Sequence, residues 1–183
     1  ETVNLAINAA LTGHLVLSTL HTTNAAGCIP RLIDMGAEPF LISSTLRLII
    51  GQRLVRKLCD DKEEYRLSDK DISDLSSYCN LEKVLNVLIE EKIIKQNTAL
   101  KQIPFFRPKA SPQCPDGYKG RVGIYEVLQA TESVKELLLQ NASSDKISQQ
   151  AEKEGMTTMV EDGFVKAAQG ITSIEEVVRV IKE

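Results

Sequence analysis

The run HLVLSTLH, residues 14–21, constrains the fold more than any other stretch of the chain. Its apolar part, residues 15–20, is too short for a helix. Gly13 bounds it on one side and Thr22, Thr23 and Asn24 on the other. An apolar run of this length reads as a strand buried on both faces, as in parallel sheets. Its surroundings read as helical. Val3, Ala6, Ile7, Ala10 and Leu11 recur at helical spacing before Gly13, which suits a helix C-terminus. Thr22, Thr23 and Asn24 are good N-cap residues for a helix running to Gly36, disturbed or restarted at Pro30. Pro39 fits the first turn of a further helix over FLISSTLRLIIGQ, and RLVRKLC follows as a second strand. The order helix, strand, helix, helix, strand predicts an α/β layer.

Residues 60–80 break this pattern, being polar, charged and poor in large apolar side chains. LEKVLNVLIEEKIIK is an amphipathic helix with Leu81, Val84, Leu85, Leu88 and Ile89 on one stripe. IPFFRPKASPQCPDGYKG reads as a loop, since it holds four of the six prolines. GRVGIYEVL resumes the strand pattern, and the chain then turns helical to its end. Thr131 and Ser144 are placed to cap helices, the second ending at Gly155. Thr158 with Glu161, and Thr172 with Glu175, have capping-box spacing, and Gly170 sits where a helix should stop. The expected division is a core part over 1–58, an inserted module over 59–119, and a closing strand with C-terminal helices over 120–183.

With 43% hydrophobic and 26% charged residues, the 183-residue chain has a globular balance rather than a disordered one. A net charge of -3 gives no global basic field for nucleic acid. No apolar run approaches the roughly 18 residues that would suggest a spanning helix. The opening ETVNLAINAALTGH lacks Met, a basic region and a small-residue cleavage site, so it reads as the middle of a protein without a signal peptide. Cys28, Cys59, Cys79 and Cys114 form no CxxC pair. A core of this size needs no disulfide, so a reducing cytoplasm is expected.

Several blocks resemble one family. ALTGHLVLSTLHTTNA resembles the histidine box of the secretion ATPases, and RLIDMGAEPFLISSTLRLIIGQRLVRKLC resembles the stretch after it. GYKGRVGIYEVL and GMTTMVEDGFVKAAQGITSIEEVVRV resemble that family's closing segments. The blocks are long and ungapped and cover most of the chain outside residues 60–110. They point to the pilus assembly and secretion branch rather than the retraction branch. The resemblance implies the C-terminal half of a RecA-like α/β P-loop NTPase core, working as a homo-hexameric ring. Glu1 and Thr2 resemble the close of the family's Walker B region. No GxxxxGK[ST] loop occurs in the sequence. ATP and Mg would therefore be held mainly by a region upstream, and this piece alone is expected to be inactive.

The function implied is an ATP-hydrolysing motor for type IV pilus assembly or type II protein secretion. Its partners would be an inner-membrane platform protein and pilin-like assembly machinery, and its place the cytoplasm, peripheral to the inner membrane. A catalytically inactive ring scaffold or regulatory paralogue is the alternative. A nucleic-acid-binding metal ribbon is the third reading. The charge, 4% aromatic content and broken cysteine pairs argue against that one, and no direct nucleic-acid contact is expected.

His14 and His21 are the only histidines and bracket the expected strand. Their odd spacing would put them on opposite faces of it. The resemblance places both near the terminal phosphate, where an imidazole can donate a hydrogen bond in either protonation state. Otherwise they are strand-end residues satisfied by backbone. Thr19, Thr22 and Thr23 either contact phosphate or water, or serve as strand filling and helix caps. The family has an acidic residue after the Asn of its HTN turn; here Thr22, Thr23 and Asn24 are followed by Ala25. Arg53 and Arg56 on QRLVRKL either clamp nucleotide or a neighbouring subunit, or pair with a carboxylate.

In the family the insertion carries two CxxC pairs fit for zinc. Here the corresponding positions read Cys59-Asp60-Asp61-Lys62 and Ser111-Pro112-Gln113-Cys114, so each pair has lost a thiol. Cys79 with Asp60 or Asp61 would be needed to complete a site, and zinc is not expected. Packing of the amphipathic helix with Phe105 and Phe106 is expected to stabilise the module instead.

Overall fold

The computed structural model describes residues 2–182. They form two compact units, each built from two stretches of chain. One comprises residues up to 51 and 126–157, the other 52–125 and 158 onward. The division cuts through two long strands, β1 (Leu48–Leu58) and β4 (Tyr118–Gln129), which pair in a two-stranded sheet.

The first unit holds α1 (Thr2–Leu11), α2 (Cys28–Asp34), α3 (Pro39–Thr45), α6 (Glu132–Leu139) and α7 (Ser144–Lys153), with the near ends of both strands. Its core gathers Ile7, Ala25, Ile29, Ile42, Leu128, Val134 and Ile147. α1 ends as its spacing predicts, with Gly13 at φ +91°. The expected strand over residues 15–20 does not form. The segment 14–22 has no regular structure, and Leu15 and Leu17 are 88% and 87% exposed. A strand exists only through a neighbour's backbone groups, and among the described residues no strand pairs with this one.

Pro30 does not interrupt α2, because the helix starts only at Cys28 and so places the proline in its first turn, where no intrahelical N–H bond is lost. α3 is shorter than its apolar run suggested. Leu46 is already extended at ψ 132°, and the chain enters β1 at Leu48 rather than near Arg53. Thr131 accepts from Val134 N–H as an N-cap; the next helix has Ser143, not the expected Ser144, at its N-cap position, and the Ser143 side chain makes no capping bond.

The second unit holds β2 (Lys62–Tyr65), α4 (Asp69–Ser76), α5 (Leu81–Glu90), β3 (Phe105–Pro108), α8 (Met159–Ala168) and α9 (Ile174–Lys182), with the far ends of β1 and β4. β2 and β3 run antiparallel, from Lys62 opposite Pro108 to Tyr65 opposite Phe105, so part of the proline-rich stretch is strand rather than loop. α5 has the amphipathic stripe its spacing predicts. Val84 and Leu88 are buried beside Phe105, Phe164, Ala167 and Val177. Phe105 meets Phe164 edge-on with centroids 6.4 Å apart. At Gly163 a Cβ would lie 2.6 Å from Val177, so glycine permits the close approach of α8 and α9.

The Thr158–Glu161 capping box forms, and Gly170 ends α8 at φ +70°. The box expected at Thr172 does not. Thr172 donates its hydroxyl to the Arg56 carbonyl at 2.7 Å, and Ser173 accepts from Glu176 N–H instead. Cys59 and Cys114 are joined in a disulfide, with Cα atoms 6.7 Å apart. That corrects the expectation of free thiols: β1 ends beside the turn that carries Cys114, and Cys59 N–H bonds the Gly117 carbonyl at 3.0 Å. Cys28 and Cys79 are free.

Candidate functional site

The histidine-bearing segment lies in the first unit. Glu1, one of the residues matched to the Walker B close, lies outside the described residues. His14 caps the end of α1. Its Nδ1 is 3.1 Å from the Thr12 hydroxyl and 3.3 Å from the Ala9 carbonyl, and its N–H bonds Ala9. Thr19, His21 and Thr22 are exposed in the irregular stretch that follows. Order returns at Thr22. Its hydroxyl donates to the Asn24 carbonyl at 3.0 Å and lies 3.1 Å from Cys28 Sγ. Asn24 Oδ1 accepts from Gly27 N–H at 2.8 Å, closing a tight polar turn ahead of α2. Ala25, fully buried, donates its N–H to Glu126 Oε1 at 2.5 Å.

The arginines lie in the second unit, where carboxylate and carbonyl partners engage them. Arg53 Nη1 donates to the Val180 carbonyl at 2.7 Å. Arg56 donates from Nη2 to Glu176 Oε1 at 2.6 Å and from its backbone N–H to Oε2 at 3.0 Å. Arg179 reaches the same carboxylate through Nε at 2.9 Å and Nη2 at 3.0 Å. Glu176 is 1% exposed. Burial works to raise its pKa, but the bonds from Arg179 and Arg56 outweigh it and hold the carboxyl at about 2. Arg56 also stacks over the Tyr118 ring at 4.1 Å, and the Tyr118 hydroxyl meets Ser173 Oγ at 2.8 Å. The bond to Glu176 raises the Arg56 pKa in turn, so the guanidinium stays charged.

Sequence spacing brought neither Glu126 nor Glu176 forward. Their partners lie 101 and 120 residues away, beyond any local pattern. The one short-range sign of Glu176 was Arg179 three residues on, the spacing of a helical ion pair. Elsewhere in the second unit a groove of about 740 Å³ is lined by Leu67, Leu75, Ile174 and Val178, with Tyr65 under Arg107 and Tyr78 under Lys182. Burial raises the Cys79 thiol to about 11, which makes it a poor nucleophile. Among the described residues no cluster of His, Cys, Asp and Glu is arranged to hold a metal ion. Nor is any helix among them long and apolar enough to cross a membrane.

Residues 1–179 match the family described as Type II/IV secretion system protein. The chain is 42% identical to the type II secretion system protein E of Xanthomonas campestris, over all of this chain and 30% of that protein. It is 39% identical to the type IV pilus assembly ATPase PilB of Pseudomonas aeruginosa, over all of this chain and 29% of that protein. The chain thus spans about a third or less of the length of such relatives. The X-ray structure of the Legionella pneumophila ATPase DotB shares the fold at a TM-score of 0.55 and 21% identity, covering 99% of this chain and 35% of that one. That likeness agrees with the α/β, RecA-like class read from the sequence. The match along almost its whole length shows that this chain belongs to the Type II/IV secretion system protein family.

Proposed function

We propose that this chain is the C-terminal part of an ATP-hydrolysing motor that drives type IV pilus assembly or type II protein secretion. The observation that carries the reading is its likeness, across the whole chain, to a secretion protein E and a pilus assembly ATPase alike. The motor acts as a homo-hexamer on the cytoplasmic face of the inner membrane and passes its motion to a membrane platform protein. ATP and Mg are bound mainly by the part of the longer protein that carries the phosphate loop. His21 and His14 sense or stabilise the terminal phosphate, and Thr19 and Thr22 contact phosphate or water there. Arg53 and Arg56 serve in pairing rather than as a nucleotide clamp, holding the β1 strand to α9. Residues 59–119 act as one inserted module, closed at its base by Cys59 and Cys114.

The test compares ATP turnover by the longer protein and by the 183-residue chain, with oligomer size measured in parallel. Magnesium-dependent turnover by a hexamer, and none by the chain alone, supports the motor. Rings that never turn over ATP replace it with the inactive scaffold. His21→Ala in the longer protein lowers turnover while the circular dichroism of the fold is unchanged; wild-type turnover in that variant removes His21 from the mechanism.

A further inference from the structure

The turn after His21 is held from outside by one side chain. Glu126 lies on β4, 7% exposed, and its Oε1 accepts the N–H of fully buried Ala25 at 2.5 Å. Buried backbone N–H groups need an acceptor, and Ala25 precedes α2, so no helical carbonyl stands ready for it. The approach is possible because β1 carries glycine where it passes the pair. A Cβ on Gly51 would lie 2.8 Å from Glu126 Cγ, 2.9 Å from its Oε1 and 3.2 Å from Ala25 N. Three separate parts of the first unit therefore meet at one hydrogen bond: a strand that supplies the carboxylate, a strand that leaves room, and the turn that receives it. From inside, Thr22 and Asn24 brace the same turn through the Asn24 carbonyl and Gly27 N–H.

We infer that Glu126 is a positioning residue for the histidine-bearing turn, with Gly51 as the clearance that lets it reach. Glu126 fixes Ala25 and so sets where Thr22 and His21 are presented to nucleotide. The inference rests on the motor reading above. A residue that only positions a reacting group acts on the chemical step more than on substrate binding. Misplacement by about 1 Å costs on the order of 100-fold in rate.

The experiment uses the longer protein for ATP turnover and the 183-residue chain for amide hydrogen exchange. Glu126→Met keeps the length and volume of the side chain but removes the acceptor oxygens, whereas Glu126→Gln keeps one. The expected result for Glu126→Met is a kcat about 10- to 100-fold lower, with KM for MgATP within about 3-fold. Ala25 N–H exchanges faster in that variant, while the amides of Leu128 and Ile42 keep their protection. Glu126→Gln restores both kcat and Ala25 protection. Gly51→Ala repeats the Glu126→Met result by crowding the carboxylate away from Ala25 rather than removing it, and so serves if Glu126→Met fails to fold. Faster Ala25 exchange with unchanged kcat overturns the inference and leaves Glu126 a purely structural bond. Unchanged Ala25 exchange overturns the geometry itself. Absence of turnover in the wild-type longer protein overturns the motor reading, and is told apart because every variant then matches wild type.

Discussion

Leu17 is 87% exposed in the segment that carries His21, whereas Glu176, a carboxylate, is 1% exposed in the unit that carries Arg56. Side-chain chemistry alone would have reversed the two. What separates them is the supply of partners. Glu176 has two guanidinium groups and the Arg56 backbone N–H within the same unit. Leu17 belongs to a stretch whose predicted burial requires strands on either side, and among the described residues none lies there. Polar groups bury when their partners are assembled, and apolar ones stay exposed when the covering surface is not.

Glu176→Ala is the harshest way to break this comparison. It leaves Arg56 and Arg179 without their shared acceptor beside a buried site. Removing one partner of a buried network costs about 3–5 kcal/mol, and the low end applies here because the Arg56 and Arg179 side chains are 43% and 45% exposed to water. A guanidinium chloride titration at pH 7 should show a lower midpoint with an unchanged slope, their product giving a loss of that size. A loss below about 1 kcal/mol would mean that desolvation of the carboxylate cancels its bonds.

Reduction of the Cys59–Cys114 disulfide comes next. It closes 55 residues of sequence separation, and freeing a loop of that size costs about 2–4 kcal/mol. The same titration with and without dithiothreitol measures it. A Cys59→Ser, Cys114→Ser double variant should match the reduced protein and ignore the reductant. An unchanged midpoint on reduction would show that the bonds around Cys59 and Gly117 already hold the module's base.

The third prediction follows from the charge on Glu176. Its folded pKa, at about 2, lies below the ordinary value of 4.5, so its stabilisation is complete above the ordinary value. That stabilisation is lost as pH falls toward about 2. The gap in stability between wild type and Glu176→Ala should therefore be widest near pH 7 and clearly narrower at pH 3. A gap that does not change would mean that the carboxylate acts through shape and not through its charge.

The parts of this fold that were legible in the sequence are those decided within about four residues. Thr131 as a cap, the Thr158–Glu161 box, Gly170 as a stop and the stripe on α5 each need only near neighbours. Long-range chemistry overrode the local signal elsewhere. Thr172 looked like a cap, but the Arg56 carbonyl claims its hydroxyl, and the cap passes to Ser173. Cys59 and Cys114 looked like remnants of metal pairs, and nothing near either one shows that β1 ends beside the other. For the candidate site, the histidine-bearing turn was visible as a motif. Its external brace, Glu126, was not, because the hydrogen bond spans 101 residues.

The smallest expected effect tests the exposed side of the comparison. Leu17→Ser removes a side chain that is 87% exposed and replaces it with a polar one. A burial-driven contribution would be about 1.5–3 kcal/mol for a leucine taken fully out of water. With so little of Leu17 covered, the 183-residue chain should change by no more than about 0.5 kcal/mol in the same denaturant titration. If the variant instead loses more than about 1 kcal/mol, Leu17 is covered in solution, by this chain or by a second copy. Protein concentration separates those two cases, because only contact with a second copy makes the midpoint rise with concentration.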